Sequence, residues 1–147
     1  MTADPDEVVD HRPLIVTGSG IAGLSAAIYA GRSNNDPLVF EGDEPGGQLT
    51  LTTEVDNYPG FHEGISGPEL IQQMKTQAER FGAEIRNGIV EDVAAEERPF
   101  TVRLTNGDVY TADAVIAAPG APSRTLGLPG EEEPMAYGLA PCVLFTG

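Results

Sequence analysis

Gly18, Gly20 and Gly23 set a GxGxxG spacing in the stretch Gly18-Ser19-Gly20-Ile21-Ala22-Gly23, directly after an apolar run at 14–16. That pattern suits a pyrophosphate. The first glycine permits a tight turn, the second lets a phosphate approach the backbone, and the third lets a helix pack closely on the strand behind it. A helix starting here would present unpaired N–H groups and the positive end of its dipole. A second apolar run at 38–40 leads into Glu41, 18 residues beyond Gly23. A carboxylate at that distance accepts hydrogen bonds from ribose hydroxyls and disfavours a 2′-phosphate. Together the two signals point to a dinucleotide of the FAD or NAD type rather than NADP. The single cysteine, Cys142, lies in the apolar stretch 139–147. It fits either half of a redox centre or a small buried apolar residue. His11 and His62 have no sequence neighbours suited to metal or nucleophilic chemistry and read as loop residues.

The elements that must hold these residues follow from pattern. The run at 14–16 reads as a buried parallel strand. The segment after the glycines reads as a helix kept slim by Ala22, Ala26, Ala27 and Ala30, with Leu24 and Ile28 as an i, i+4 apolar pair. A second strand at 38–40 completes a strand–helix–strand unit. Residues 42–66 form a long loop without clear period, and a loop of that length in a compact domain implies binding. Ser66 and Glu69 have the spacing of a capping box, with Pro68 in the first turn. Ile71, Met74, Ala78 and Phe81 then mark one helical face, and Gly82 stops it. The turn Thr105-Asn106-Gly107-Asp108 separates alternating strands at 100–104 and 108–111. A last apolar run at 114–118 returns to the parallel sheet before Gly120. The expected division is an acidic flexible leader at 1–11 and one domain at 12–147.

Composition bounds the partners. The chain has 147 residues and a formal net charge of -15, with Lys75 its only lysine. Such a surface repels nucleic acid and anionic membranes, so neither is an expected partner. Carboxylate excess with so little lysine fits a halophilic surface, which salt stabilises by screening self-repulsion. No apolar run approaches the ~20 residues of a membrane span. The N-terminal residues have neither the basic nor the apolar part of a secretory signal. One cysteine allows no intramolecular disulphide. The expected compartment is the cytoplasm.

The sequence GGQLTLTTEVDNYPGF, followed by GPELIQQMKTQAERFGAEI and then ADAVIAAPGAPSRTLGLPGEEE, resembles the FAD domain of the low-molecular-weight thioredoxin reductases, within the pyridine nucleotide-disulphide oxidoreductases. The resemblance runs from Arg12 nearly to the end. It implies an α/β fold, Rossmann-like and of the three-layer (ββα) FAD/NAD(P)-binding type, in which a doubly wound parallel sheet carries a three-stranded antiparallel layer. It places Gly18, Ser19, Gly20, Ile21, Ala22, Gly23 and Glu41 on the ADP half of FAD. Gly46, Gly47, Gln48, Leu49 and Asn57 fall along the flavin half. Ala118 and Gly120 approach the cofactor, but Pro119 stands where the family usually has threonine, removing one N–H and fixing φ.

The family's redox motif has two cysteines followed by an acid. Cys142 falls on the first cysteine, Phe145 on the second and Thr146 on the acid. A dithiol exchange needs both thiols, one to attack and one to resolve, so disulphide reduction is expected to be impaired. The family reaction runs from NADPH through FAD to a disulphide. Its NADPH domain, and a returning segment that completes the FAD domain, are not expected within this chain. NAD(P)H would then serve as donor only with a second domain or chain supplied. The implied partners are a second copy in a homodimer or a complementing chain. The alternative is a truncated, degenerate dinucleotide-binding module without independent turnover.

Overall fold

The computed structural model describes residues 8–121. Strand β1 (Val8–Thr17) passes through the glycine turn into helix α1 (Ile21–Arg32), which returns to strand β2 (Leu38–Phe40). A long loop holding a short 3-10 helix (Gly47–Leu51) leads to helix α2 (Gly67–Arg80). Strands β3 (Glu84–Arg86), β4 (Val90–Ala94), β5 (Phe100–Leu104) and β6 (Val109–Ala117) follow. All six strands join one sheet in the order β3-β2-β1-β6-β5-β4. The first four in that order are parallel, and β5 and β4 continue antiparallel.

Alternation along the central strands explains the two cores. Leu14 and Val16 of β1 and Val39 of β2 face the helices, packing with Leu24, Leu70, Ile71 and Met74. Ile15, Leu38 and Phe40 point the other way, against Val102, Leu104, Tyr110 and Ala112. Phe40 meets Tyr110 edge-on, with ring centres 5.0 Å apart, a favoured aromatic arrangement. Strands β1 and β2 are thus buried on both faces, which is why their sequences are unbroken apolar runs.

Three expectations change. The strand begins at Val8, within the stretch expected as a flexible leader, because residues 8–12 pair with β6 from Val109 to Ala112. The strand expected at 108–111 and the run expected at 114–118 are one element. β6 bonds antiparallel to β5 through Val109–Ala112 on one edge and parallel to β1 on the other. The sheet is not wound with helices on both faces: α1 and α2 share one core, and among the described residues β4 and β5 cover the opposite face. The three layers therefore come from one continuous hydrogen-bonded sheet that folds over itself.

Local rules account for the remaining turns. Asn106 Oδ1 accepts from Asp108 N at 3.0 Å, and Gly107 takes φ of 92° in the β5–β6 turn. Ser66 Oγ accepts from Glu69 N at 3.3 Å. The capping box is half closed, since the Glu69 carboxylate bonds Gln73 one turn on. The long loop is tied across its base by an antiparallel bridge between Val55 and Ile65.

Candidate dinucleotide site

The parallel strands end where α1 begins, the usual ligand position of an open α/β sheet. Gly18 has φ of 103°, and its N–H donates to Phe40 O at 2.8 Å, binding the turn to the end of β2. A Cβ on Gly18 would stand 2.1 Å from Ala118 O, and one on Gly23 would stand 1.9 Å from Gly18 O. Neither position has room for a side chain. At Gly20 the nearest atom to such a Cβ is Gly46 O, 3.9 Å away. The three glycines thus divide: two have backbone packed where a side chain would stand, and Gly20 has ordinary contact distance only to Gly46 O.

Helix α1 leaves its first turn bare. Gly20 is its N-cap and supplies no side-chain hydrogen bond, and the first turn carries no acidic residue. The N–H groups of Ile21, Ala22 and Gly23 have no carbonyl one turn back to bond. Ala22 is exposed. This is a cradle of donors at the positive end of a helix dipole, suited to an anion.

Glu41 continues from β2, its N–H donating to Arg86 O at 3.0 Å. Its carboxylate is mostly enclosed, with 12% of the side chain exposed, and Oε1 pairs with Lys75 Nζ of α2. Lys75 is the polar residue that sequence reasoning left out of the site. The signal was there: the chain's only lysine follows Met74 on the rim of α2's buried stripe. A long side chain leaving such a rim can run over apolar surface to a nearby carboxylate.

The structure brings Gly46 and Gly47 against the glycine turn. Gly46 has φ of 86° and is buried, and a Cβ on Gly47 would lie 3.6 Å from Gly20 Cα. Gln48 is exposed and Leu49 half-buried on the 3-10 helix that follows. Asn57 is exposed in an open hollow of about 340 Å3 that it lines with Tyr58, Pro59, Phe61 and His62; no residue of the glycine turn shares that lining. Ala118 N donates to Thr17 O at 2.9 Å, and Gly120 has φ of 74°, so the end of β6 closes over Gly18. Cys142, Phe145 and Thr146 lie outside the described residues. Neither histidine enters the site: His11 Nδ1 lies 2.9 Å from Thr111 Oγ1 on the sheet, and His62 is exposed beside Glu63.

A polar cluster on the strands is satisfied within the protein, with Arg86 donating to Tyr110 Oη at 3.5 Å. On β1 and β3, Arg12 bonds Asp10 at 2.8 Å and Glu84 at 2.6 Å. Arg86 also bonds Glu84, at 2.5 Å. The hydrogen bond from Arg12 holds Asp10 below the usual carboxylate range. For Glu84, partial burial pushes upward, but hydrogen bonds from Arg86 and Arg12 outweigh it and lower the pKa. Glu84 in turn raises Arg86. Every charge here has a partner, so this end of the strands offers nothing to a ligand.

Comparison with known proteins agrees with this geometry. The family model of the pyridine nucleotide-disulphide oxidoreductases matches residues 12–142. A thioredoxin reductase of Rickettsia bellii is 47% identical over 134 residues, which are 91% of this chain and 43% of that protein. A bifunctional thioredoxin reductase/thioredoxin of Mycobacterium leprae is 49% identical over 147 residues, 100% of this chain and 32% of that one. Among solved structures, thioredoxin reductase from Giardia duodenalis superposes with a TM-score of 0.76 at 39% identity, covering 85% of this chain and 40% of that chain. The chain thus spans less than half the length of the curated relatives it matches.

Proposed function

This chain belongs to the pyridine nucleotide-disulphide oxidoreductases, and from that membership we propose that residues 18–23, Glu41 and the loop at 46–49 hold the FAD of an NAD(P)H-dependent oxidoreductase. The chain is a thioredoxin reductase-type FAD-binding domain. The uncapped first turn of α1, behind glycines that have no room for side chains, carries the reading. When bound, FAD supplies two-electron acceptance from a nicotinamide and onward transfer to an acceptor. The chain's own residues bind and orient. The N–H groups at the start of α1 would hold the pyrophosphate, and the Glu41 carboxylate, one oxygen of which pairs with Lys75, would accept from the adenosine ribose. The backbone at Gly46 and Gly47 lines the approach to the flavin half, with Gln48 and Leu49 beyond it. Asn57, which the family resemblance assigns to the flavin half, lines a separate hollow with Tyr58 and Phe61.

The family reaction, from NADPH through FAD to a disulphide, needs two thiols at its last step. Phe145 stands three residues after Cys142, so in this reading electrons leave the flavin for another acceptor, or a complementing chain provides the exchange. The β5-side edge of β6 beyond Ala112 has no strand partner among the described residues. Ile116 is exposed there, which supports a further strand, second copy or complementing chain docking at that edge. No helix among the described residues is long and apolar enough to cross a membrane. A cytoplasmic, salt-adapted protein fits the net charge of -15, and its melting temperature should climb with KCl; a steady fall would remove the salt adaptation.

The test is to purify the chain in concentrated KCl, add FAD, pass it through a desalting column and record the flavin spectrum together with NAD(P)H consumption. Retained yellow flavin is the expected result. Colourless protein, even with the rest of a family member supplied in trans, would overturn the assignment. Retained flavin without NAD(P)H consumption, even with the rest of a family member supplied in trans, would favour the alternative, a binding module without turnover.

A further inference from the structure

We propose that Ser19 is a positioning residue whose hydroxyl couples the two walls of the site, so that the adenine-side turn and the flavin-side loop act as one unit. The inference rests on the FAD reading above. Ser19 is 1% exposed, inside a turn whose neighbours are glycines. A serine hydroxyl has one proton to give and lone pairs to receive, and both functions are in use. Oγ donates to Glu41 O at 3.3 Å and accepts from Gly46 N at 2.9 Å. One side chain therefore joins three segments: the glycine turn, the end of β2 and the loop at 42–47. The family resemblance places Ser19 on the ADP half of FAD; its hydroxyl is turned inward and bonded within the protein, leaving only its backbone for cofactor.

The bond to Gly46 matters because it holds that residue from the inside. Gly46 is buried in a left-handed conformation. On its outer side, a Cβ would meet Thr50 Cγ2 at 2.6 Å and Ile71 Cγ2 at 2.7 Å, so α2 and the 3-10 helix wall it in. On its inner side stands Ser19 Oγ. The next residue, Gly47, then comes against Gly20. Removing the hydroxyl would leave a buried N–H without a partner, and a buried donor in that state drives local opening. The loop would swing from the glycine turn, and the flavin half would lose its wall while the α1 N-terminus kept its own.

This predicts a split that general destabilisation would not produce. In Ser19→Ala, which keeps the backbone N–H groups of the turn and loses only the long bond to Glu41 O on the adenine side, affinity for FAD should fall about tenfold, while affinity for ADP, which spans the turn, α1 and Glu41, should fall by no more than about twofold. Amide exchange at Gly46 should speed up by a similar factor of about ten, with no ligand present. Ser19→Cys, nearly the same size with a weaker acceptor, should fall between Ser19→Ala and wild type in both readouts, and carries the test if Ser19→Ala does not fold. Parallel losses for FAD and ADP, or unchanged Gly46 exchange in a folded variant, would overturn the coupling role. A wild-type chain that binds ADP but not FAD would overturn the FAD reading instead, and Gly46 exchange would still decide whether Ser19 holds the loop.

Discussion

Helix α1 starts behind Gly20, which contributes no side-chain cap, whereas α2 starts behind Ser66, whose Oγ accepts from Glu69 N. In α2, Pro68 removes one orphan donor, and Glu69 places a carboxylate near the dipole's positive end. The Gly67 N–H donates to Thr52 O at 3.1 Å, and a Cβ on Gly67 would lie 1.8 Å from Leu49 O. The start of α2 is satisfied and covered by its own chain. The start of α1 has no such provision, though both helices pack on the same face of the same sheet. The two helices of one domain thus differ in whether the chain supplies the missing acceptors itself, and on the proposed function that difference separates a structural terminus from a binding one. A terminus left bare costs stability, and a chain that keeps one gains by having an external anion there.

The largest effect comes from forcing apart the close backbone contact that seats the start of α1 against the glycine turn. Gly23→Ala puts a methyl 1.9 Å from Gly18 O, where only backbone could yield. We expect a loss on the order of 3 kcal/mol or more, read as the collapse of the urea unfolding midpoint. A midpoint close to wild type would show that the turn is looser than described. Next, Ala22→Asp gives α1 what α2 already has, a carboxylate in its first turn. Thermal stability should rise slightly, by roughly 0.3–1 kcal/mol. FAD affinity should drop about tenfold or more, because the new charge faces the pyrophosphate. Stability and affinity moving in the same direction would break the contrast between the two termini.

Ser66→Ala is the mirror experiment. It should cost about 1 kcal/mol and leave ADP affinity within about twofold, since the α2 terminus binds nothing outside the chain. The smallest effect belongs to the ion cluster on β1 and β3. Asp10 and Glu84 have lowered folded pKa values against ordinary values of 3.8 and 4.5. Their contribution is therefore full above those ordinary values and is lost as pH falls through the lower folded ones. Glu84→Gln should lower neutral-pH stability by roughly a few tenths of a kcal/mol for so exposed a group, and the gap to wild type should close as pH falls through the folded pKa, flattening the acid limb. A large loss at neutral pH would mean that the cluster holds the fold more strongly than its exposure suggests.

The parts of this architecture that could be read from sequence are those governed by local rules. The glycine turn, the strand at 38–40, the Ser66 cap and the Asn106-Gly107 turn each depend on neighbours within a few residues. The misread parts depend on distant ones. Val8, Val9, Asp10 and His11 have no apolar pattern of a buried strand, and they join the sheet because β6, a hundred residues later, pairs with them. Asp113 interrupts the apolar run of β6 and made one strand read as two. Two polar contacts at the site were hidden for the same reason: Lys75 meets Glu41 across 34 positions and Ser19 meets Gly46 across 27. The glycine spacing points to where a dinucleotide is proposed to lie, but only the folded chain shows that the turn and the loop at 42–47 are tied through one hydroxyl.

The most direct test of the central claim is a titration of the isotope-labelled chain with ADP in concentrated KCl, following backbone amide resonances. The account predicts that the amides of Gly20, Ile21, Ala22 and Gly23 move together and saturate while those at the start of α2, from Gly67 to Leu70, stay in place. Shifts confined to α2 or to the hollow around Asn57, with the α1 terminus unmoved, would contradict it.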